Sequence, residues 1–343
     1  TEAVRVMREL IASSGSLDNT LKLCHLLNDN AKTLVKAGRA YESFTSFDLA
    51  AQLLKNIKPG TKYKNEVLKR QFAVYYSKAV TLNNIRECNK AIKVFNEAER
   101  ILAKIDFPAD TRKEKSCLLN YYKTIALTEI DRFNQAIALG DQTIKLMRHL
   151  VRKNEYKYLE PLLASSYTNR AVACVKGGYN DRIDEYFKAA HRVFRRLIEN
   201  EGQHVLIPSL AANSISHGIF LDKTGHHKKA HSCFQSAVEA LEYTVFKEGQ
   251  RHHLDLLCKA YGNKAIVLDR LELKAEAEQY DWKCIRILEK RIREDRQSYH
   301  SKQMNRVIDR QKSRCGQNDV KKMKHLKKVS AWVRTMVSDP ALD

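Results

Sequence analysis

The sequence predicts an all-α protein built from a tandem array of helical hairpins. A pattern of four residues occurs six times: usually a Gly or polar residue, then a small residue, then an aromatic residue, and then a second small residue. The six copies are Gly38/Ser43/Phe47/Ala50, Arg86/Ala91/Phe95/Ala98, Asp131/Ala136/Gly140/Thr143, Gly178/Ile183/Phe187/Ala190, Gly225/Ala230/Phe234/Ala237 and Glu272/Ala277/Asp281/Cys284. The second residues of successive copies stand 48, 45, 47, 47 and 47 positions apart. A fixed period of this length is typical of solenoids, because one hairpin cannot bury its apolar face alone.

Composition supports the same fold class. Only 12 Gly and 5 Pro occur among 343 residues, so helix formers dominate and turns are few and short. A repeat array grows in one dimension, so this length does not require several globular domains. We therefore expect one continuous right-handed superhelix of about six antiparallel helical hairpins, with capping helices at its ends.

The elements follow in order from the apolar spacing. Residues 1–20 begin with apolar residues at helical spacing, and Ser16 then stands where a helix N-cap is expected, so this segment is predicted to cap the array. Residues 21–292 form the array itself. Its predicted hairpins cover residues 24–57, 72–105, 117–150, 164–197, 211–244 and 258–291, approximately. In each hairpin, an amphipathic helix A ends at the turn residue and a helix B carries the small and aromatic residues.

The C-terminal basic segment, residues 293–343, is a separate feature. The net charge of the chain is +21, and residues 286–337 contain 16 Lys and Arg against 5 Asp and Glu. A break is expected near Cys315–Asn318, followed by an amphipathic helix that includes Val320, Met323 and Trp332. This segment either caps the array or docks on another molecule.

The eight cysteines are scattered singly, without Cys-x-x-Cys pairs. Buried, reduced thiols are therefore expected, which favours a cytoplasmic protein. The sequence contains no apolar stretch of membrane-spanning length, so no membrane partner is expected. The chain starts without a signal-peptide pattern and without an initiator Met, so an export signal ahead of it stays an open alternative.

The repeats resemble tetratricopeptide repeats. The fifth copy matches best, through Gly218, Leu221, Gly225, Ala230 and Phe234. The period near 47 exceeds the usual 34, and the early Trp and closing Pro of that family are missing. The long period and the Glu-Gly-x-x-x-x-Leu linker are similar to arrays attached to bacterial signalling ATPases and caspase-like proteases. No Gly-x-x-x-x-Gly-Lys-[Ser/Thr] motif or recognisable protease context occurs here.

The resemblance implies a ligand groove lined by the A helices. It places polar pairs there, each seven residues apart and so on one helix face. These pairs are Asn169/Lys176, Ser216/Lys223 and Asn263/Arg270. Side-chain amides can hold an extended peptide backbone, and the cations can bind acidic groups or phosphates. The alternative is that these are ordinary solvated residues, with Asp222 and Asp269 offsetting the cations.

In the N-terminal half, the equivalent positions include Tyr76 and Tyr121. Tyrosines can anchor an apolar or aromatic group of a partner. They can equally pack between successive A helices, and both interpretations stay open.

The basic segment suggests a second function class, the binding of RNA or DNA phosphates. The candidate contacts are Arg293, Arg296, Arg306, Arg310, Lys321, Lys322, Lys324, Lys327 and Lys328. Only Tyr299 and Trp332 are available for base stacking, so such binding would be largely non-specific. A solvated charged helix is the alternative.

No catalytic constellation is recognisable, and no cofactor is expected. His227 and His231 stand four residues apart, as zinc ligands can, but no third ligand is apparent, so no metal site is predicted. The sequence therefore favours a non-enzymatic scaffold, adaptor or regulator within a larger assembly, such as one for bacterial signalling or defence. Its partner would be a protein or peptide with an acidic or extended segment. The alternative is a solenoid that binds nucleic acid.

Overall fold

The structure is a computed structural model that describes residues 16–57, 60–179, 182–295, 298–315 and 319–337. Every regular element within these ranges is helical, which confirms the all-α prediction. Residues 1–15 of the predicted N-terminal cap lie outside the described residues. Ser16 occupies the N-cap position of the first described helix, but its hydroxyl makes no capping bond. Its carbonyl instead accepts hydrogen bonds from the backbone and hydroxyl of Thr20.

The chain divides into two compact units, of which the first ends at Tyr186. Its helices, in chain order, are α1 (Leu17–Lys36), α2 (Ala40–Asn56), α3 (Thr61–Asn84), α4 (Cys88–Lys104), α5 (Ala109–Glu129), α6 (Phe133–Leu150), α7 (Glu160–Gly177) and the first turn of α8 (Ile183–Glu199). Within this unit, α1 packs with α2, α3 with α4, and α5 with α6. The odd-numbered helices are the A helices of the repeats, and the even-numbered helices are the B helices.

The second unit begins at Phe187. After the rest of α8, it contains α9 (Ile207–Lys223), α10 (His227–Glu242), α11 (Leu254–Arg270), α12 (Lys274–Asp295), α13 (Ser298–Arg314) and α14 (Val320–Val337). Here α9 packs with α10, α11 with α12, and α13 with α14. Because the elements of a repeat array contact only their neighbours, such a chain can separate into units without one common core.

The first residue of every sequence pattern stands at a left-handed turn between helix A and helix B. These residues are Gly38, Arg86, Asp131, Gly178, Gly225 and Glu272, with φ of 78°, 65°, 61°, 75°, 81° and 60°. In each turn, the amide of the next residue donates to a carbonyl five positions earlier, as from His226 to Leu221 at 2.8 Å. This bond satisfies a carbonyl that the helix end would leave unpaired. The polar residues in three copies therefore take a glycine conformation despite the steric cost.

The aromatic and small residues of the pattern form the core, as their apolar character requires. The aromatic positions Phe47, Phe95, Phe187 and Phe234 are at most 1% exposed, as are the small residues Ala50, Ala98, Ala190 and Ala237. Gly218 allows close approach, because a Cβ there would lie 2.7 Å from Cε1 of Phe234. These residues therefore serve helix packing.

Two copies lack the aromatic residue, and in both an arginine from the following A helix takes its place. In the third copy, Arg170 packs over Gly140 and its Nε lies 3.0 Å from Oδ1 of Asp141. In the sixth copy, Asp281 is completely buried, and Nε of Arg310 lies 3.2 Å from its Oδ2. The sequence spacing between arginine and aspartate is 29 residues in both cases. An arginine–aspartate pair thus replaces the aromatic ring twice.

The C-terminal basic segment continues the core of the second unit. Apolar residues of α13 and α14, including Met304, Ile308, Leu326 and Val333, are completely buried and belong to the same cluster as Phe234. Arg314 of α13 adds a further ion pair to Asp281, with Nη1 2.6 Å from Oδ2. Helices α13 and α14 therefore have the position of a further hairpin, packed on α12.

The A helices are longer than the predicted hairpins at their N-terminal ends. Helix α3 begins at Thr61, where the prediction starts near residue 72, and α5 begins at Ala109 rather than near 117. The predicted hairpins have the usual repeat length of 34 residues, and this length starts helix A too late in this chain. Most of the additional residues of the 47-residue period extend helix A or form short 3₁₀ turns such as Asn154–Leu159.

Candidate binding surfaces

The A helices define one face of each unit. In the first unit, α1 contacts α3, α3 contacts α5, and α5 contacts α7; in the second, α9 contacts α11. Consecutive A helices therefore lie side by side, and the residues that the resemblance assigns to a groove are on these helices. We call this surface the A-helix face of each unit.

Tyr76 and Tyr121 are both half-buried, Tyr76 between α3 and α5 and Tyr121 between α5 and α7. The ring of Tyr76 stacks on Phe72 at 5.9 Å and meets Tyr122 edge-on at 6.1 Å. The ring of Tyr121 also meets Tyr122 edge-on, at 4.9 Å. Burial raises the pKa of Tyr76, with smaller contributions from the neighbouring tyrosines and Glu114. These ring contacts agree with the alternative in which the two tyrosines pack between successive A helices.

In the first unit, Lys176 is engaged in an ion pair. Its Nζ lies 2.7 Å from Oε1 of Glu129 on α5, so the two A helices are joined at this end. Asn169 lies nearer the middle of α7, where it lines a narrow polar cleft with Tyr121, Thr124 and Ser166. That cleft is too small to admit a water molecule. The polar residues of this face therefore serve partly to join α5 and α7.

In the second unit, the four polar residues differ in how much capacity they keep for a ligand. The hydroxyl of Ser216 donates to Ala212 O at 2.9 Å, and the Asn263 amide donates to Lys259 O at 2.7 Å, each within its own helix. Both side chains keep acceptor capacity. Lys223 is exposed and forms no ion pair with a described residue.

Arg270 is tied to its neighbour helix. Its Nη1 lies 2.6 Å from Oδ2 of Asp222, and Nδ1 of His227 lies 2.9 Å from Oδ1 of the same carboxylate. The carboxylate thus offsets Arg270, as the sequence alternative anticipates. The ion pair also brings the C-terminal ends of α9 and α11 together, which places Lys223 beside it.

The nine cations of the C-terminal basic segment that are predicted to contact phosphates fall into two groups, apart from one residue that is not described. Three are engaged: Arg310 pairs with Asp281, Nζ of Lys322 lies 2.6 Å from Oε1 of Glu278, and Arg293 stacks 5.2 Å above the Trp332 ring. Five are exposed and pair with no carboxylate among the described residues: Arg306, Lys321, Lys324, Lys327 and Lys328. Arg296 lies outside the described residues.

Among the described residues, each unit has a cavity between successive B helices that is lined by none of the predicted groove residues. In the second unit, a cavity of about 470 Å³ has an apolar floor with Val245, Leu254 and Ile287, and cations at its rim with Arg251 and Arg286. In the first unit, a cavity of about 630 Å³ is lined mainly by cations. The basic residues that line the cavity of the first unit are visible in the sequence at helical spacing on α6. Only the fold shows that they face a cavity.

Within the described residues, no group of three or more His, Cys, Asp or Glu side chains is arranged to hold a metal ion. His227 pairs with Asp222 instead, and burial lowers the pKa of His231, with Lys264 lowering it further. None of the described helices is both long and apolar enough to cross a membrane.

Paired A and B helices, closed by left-handed turns and repeated along the chain, define a tetratricopeptide-repeat-like fold. No protein-family model matches the sequence, and no curated protein matches it either. Solved structures confirm the fold at 10–15% sequence identity.

Three of these structures match more than 85% of both chains. The apo form of RapI has a TM-score of 0.60 at 10% identity, over 92% of this chain and 98% of that one. The apo quorum sensor NprR from B. thuringiensis has a TM-score of 0.60 at 12% identity, over 97% and 88%. A Rap protein complexed with Competence and Sporulation Factor has a TM-score of 0.54 at 12% identity, over 92% and 97%.

A fourth structure has tetratricopeptide repeats within a longer chain. It is the signal transduction ATPase PH0952 from Pyrococcus horikoshii, whose repeats form a sensor. Its TM-score is 0.51 at 15% identity, over 97% of this chain and 49% of that one. The resemblance predicted from the sequence pattern is therefore confirmed at the level of fold.

Proposed function

We propose that the chain is a non-enzymatic, cytoplasmic adaptor or regulator that binds a protein or peptide on the A-helix face of its second unit. The observation that carries the proposal is the side-by-side packing of α9 and α11. On α9, Ser216 and Lys223 stand seven residues apart, and Asn263 on α11 has the position in its repeat that Ser216 has in the preceding one. The fold is shared with the quorum sensor NprR and with a Rap protein complexed with Competence and Sporulation Factor, which supports a binding role.

The side chains on this face favour an extended segment that carries an acidic group. Ser216 and Asn263 keep acceptor capacity for backbone amides, while Lys223 has no carboxylate partner among the described residues. Arg270 and Asp222 neutralise each other, so Lys223 carries the positive charge at this end of the surface. One carboxylate of a partner beside Lys223 would form a charge-assisted hydrogen bond.

Site-specific photo-crosslinking tests the location. A benzophenone residue placed at Ser216, on the A-helix face, is expected to capture the partner from the native cytoplasm. The same residue at the exposed position Ser232, on helix α10, is the matched control. Capture of the same partner with equal yield from both positions would refute binding on the A-helix face.

Substitution tests the chemistry. We expect the double variant Lys223→Glu/Asn263→Ala to lose at least about tenfold in affinity for the captured partner, because charge repulsion replaces a charge-assisted bond. The control Lys229→Glu/Ser232→Ala makes the same charge change on the exposed side of α10. Circular dichroism checks that both variants fold. Equal affinities of the two variants would contradict the proposal.

One observation favours a second function, the binding of RNA or DNA by the C-terminal basic segment. The five exposed cations from Arg306 to Lys328 have no carboxylate partner within the described residues. A salt titration with single-stranded RNA tests it. Each phosphate contact removed from the triple variant Lys321→Gln/Lys324→Gln/Lys328→Gln should reduce the slope of log affinity against log salt by about 0.7. No affinity of the unaltered chain at low salt would exclude this function.

A further inference from the structure

The cavity in the first unit concentrates positive charge in a small volume. Helix α6 contributes Lys145, Arg148 and His149, and Arg152 follows two residues after the helix ends. Arg170 and Arg182 complete the basic lining, and Asp141 is the one acidic residue of the lining. The cavity volume of about 630 Å³ lies within the range of small-molecule sites.

At the floor of the cavity, Arg170, Tyr186 and Asp141 contact one another. Arg170 is 2% exposed, and its guanidinium lies 4.3 Å from the ring centre of Tyr186. The Tyr186 hydroxyl donates to Oδ1 of Asp141 at 3.3 Å, and Nε of Arg170 donates to the same oxygen at 3.0 Å. These two hydrogen bonds hold the Asp141 carboxylate in place. Its one negative charge offsets that of Arg170, so the other cations of the lining remain in excess.

Three cations at the rim of the cavity have no carboxylate partner among the described residues. Lys145, Arg148 and Arg152 are exposed, and their side chains pair with no carboxylate of a described residue. Arg182 pairs with Glu185, at 2.6 Å between Nη2 and Oε2. Three like charges that face one cavity repel one another, and the low-dielectric walls strengthen that repulsion. An anion bound between them would remove it.

We propose that this cavity binds a compact ligand with two or more phosphoryl groups, such as an oligophosphate. Lys145 and Arg148 lie about one turn apart on α6 and Arg152 follows shortly after its end, so the three charges are concentrated within eight residues of sequence. An extended acidic peptide carries at most one charge per residue, about 3.3 Å apart and on alternating sides. Adjacent phosphoryl groups place several charges and many acceptor oxygens closer together, which matches arginine guanidinium groups that donate in pairs.

Isothermal titration of the full chain with inorganic tripolyphosphate tests the proposal. We expect saturable binding with one site. The triple variant Lys145→Gln/Arg148→Gln/Arg152→Gln should bind at least about tenfold more weakly, because it loses three charge-assisted contacts. The single variant Arg148→Gln provides a milder change with the fold preserved. All of these side chains are exposed, and circular dichroism checks the fold of each variant.

A matched control removes the same charge elsewhere in the first unit. Lys55, Lys93 and Lys104 are exposed and lie outside the cavity, so the triple variant Lys55→Gln/Lys93→Gln/Lys104→Gln should change the affinity by less than about threefold. Equal losses in both triple variants would overturn the proposal, because they would show binding to net charge alone. Absence of tripolyphosphate binding would overturn it as well. If single-stranded RNA alone bound and depended on Arg148, the site would belong to nucleic acid instead.

Discussion

We expect Gly218→Ala to destabilise the second unit, although the same change usually stabilises a helix. Gly218 lies within α9, where alanine would gain about 0.5–1 kcal/mol of helix stability. The new Cβ would stand 2.7 Å from Cε1, 2.8 Å from Cζ and 3.0 Å from Cδ1 of Phe234. Carbon atoms prefer about 3.5–4.0 Å, and the Phe234 ring is only 1% exposed, so it has no solvent to move into.

The magnitude follows from the balance of these two effects. Overpacking of a close-packed core costs about 1–3 kcal/mol, against a helix gain of about 0.5–1 kcal/mol, so the net loss should be about 1 kcal/mol and at most about 2.5 kcal/mol. Gly262→Ala is the matched control within α11, because its new Cβ would meet only Nη2 of Arg310, at 3.7 Å. That contact is ordinary, so this variant should gain about 0.5–1 kcal/mol.

Tryptophan fluorescence during urea unfolding measures both variants. The two tryptophans, Trp282 and Trp332, belong to the second unit, so the signal reports on that unit. Phe234→Leu provides the decisive background, since the smaller side chain relieves the contact and Gly218→Ala should become neutral or stabilising there. If Gly218→Ala were as stable as Gly262→Ala, or if Phe234→Leu did not change its effect, the packing argument would be wrong.

Three further predictions use the same unfolding assay or mass spectrometry. Glu272→Gly should stabilise the second unit by about 0.5–1 kcal/mol, because glycine adopts its φ of 60° without steric cost; an unchanged urea midpoint would contradict this. Arg314→Met should destabilise it by about 3 kcal/mol, because the completely buried Asp281 loses one of its two arginine partners; a loss below about 1 kcal/mol would contradict this. Alkylation of the native chain near pH 8 should label Cys233 and Cys315, which are partly exposed, before the six buried thiols. Burial raises the pKa of four of those six, among them Cys24 to about 11 and Cys117 to about 12, so early labelling at either of these two would contradict the structure.

Much of the fold could be predicted from the sequence because the repeat encodes it locally. The spacing of Phe234 and Ala237 from the turn at Gly225 recurs in other copies, and the same positions are buried wherever an apolar residue occupies them. The turn positions were identified even where Arg86 or Asp131 replaces glycine, because the period locates them. The starts of the A helices were less predictable, since a linker and a helix extension have similar polar compositions.

The candidate sites were less predictable, because a binding site is formed by residues from several repeats. The sequence pairs Ser216 with Lys223 on one helix, but only packing shows that Asp222 neutralises Arg270 and leaves Lys223 without a carboxylate partner among the described residues. The basic segment was identified by composition. Composition does not show that Arg310 reaches a buried aspartate while Arg306 stays exposed.

The sequence alone determined the helical class, the period and the turn positions, because these depend on the spacing of small and aromatic residues along one helix or hairpin. The tertiary structure decided which charges are neutralised and which face a cavity, because those properties depend on contacts between residues about 29 to 48 positions apart. In the sequence, Gly140 and Asp281 stand where other copies have an aromatic residue, so the repeat pattern is lost at these two positions. In the structure, each is the place where an arginine from the next helix enters the core.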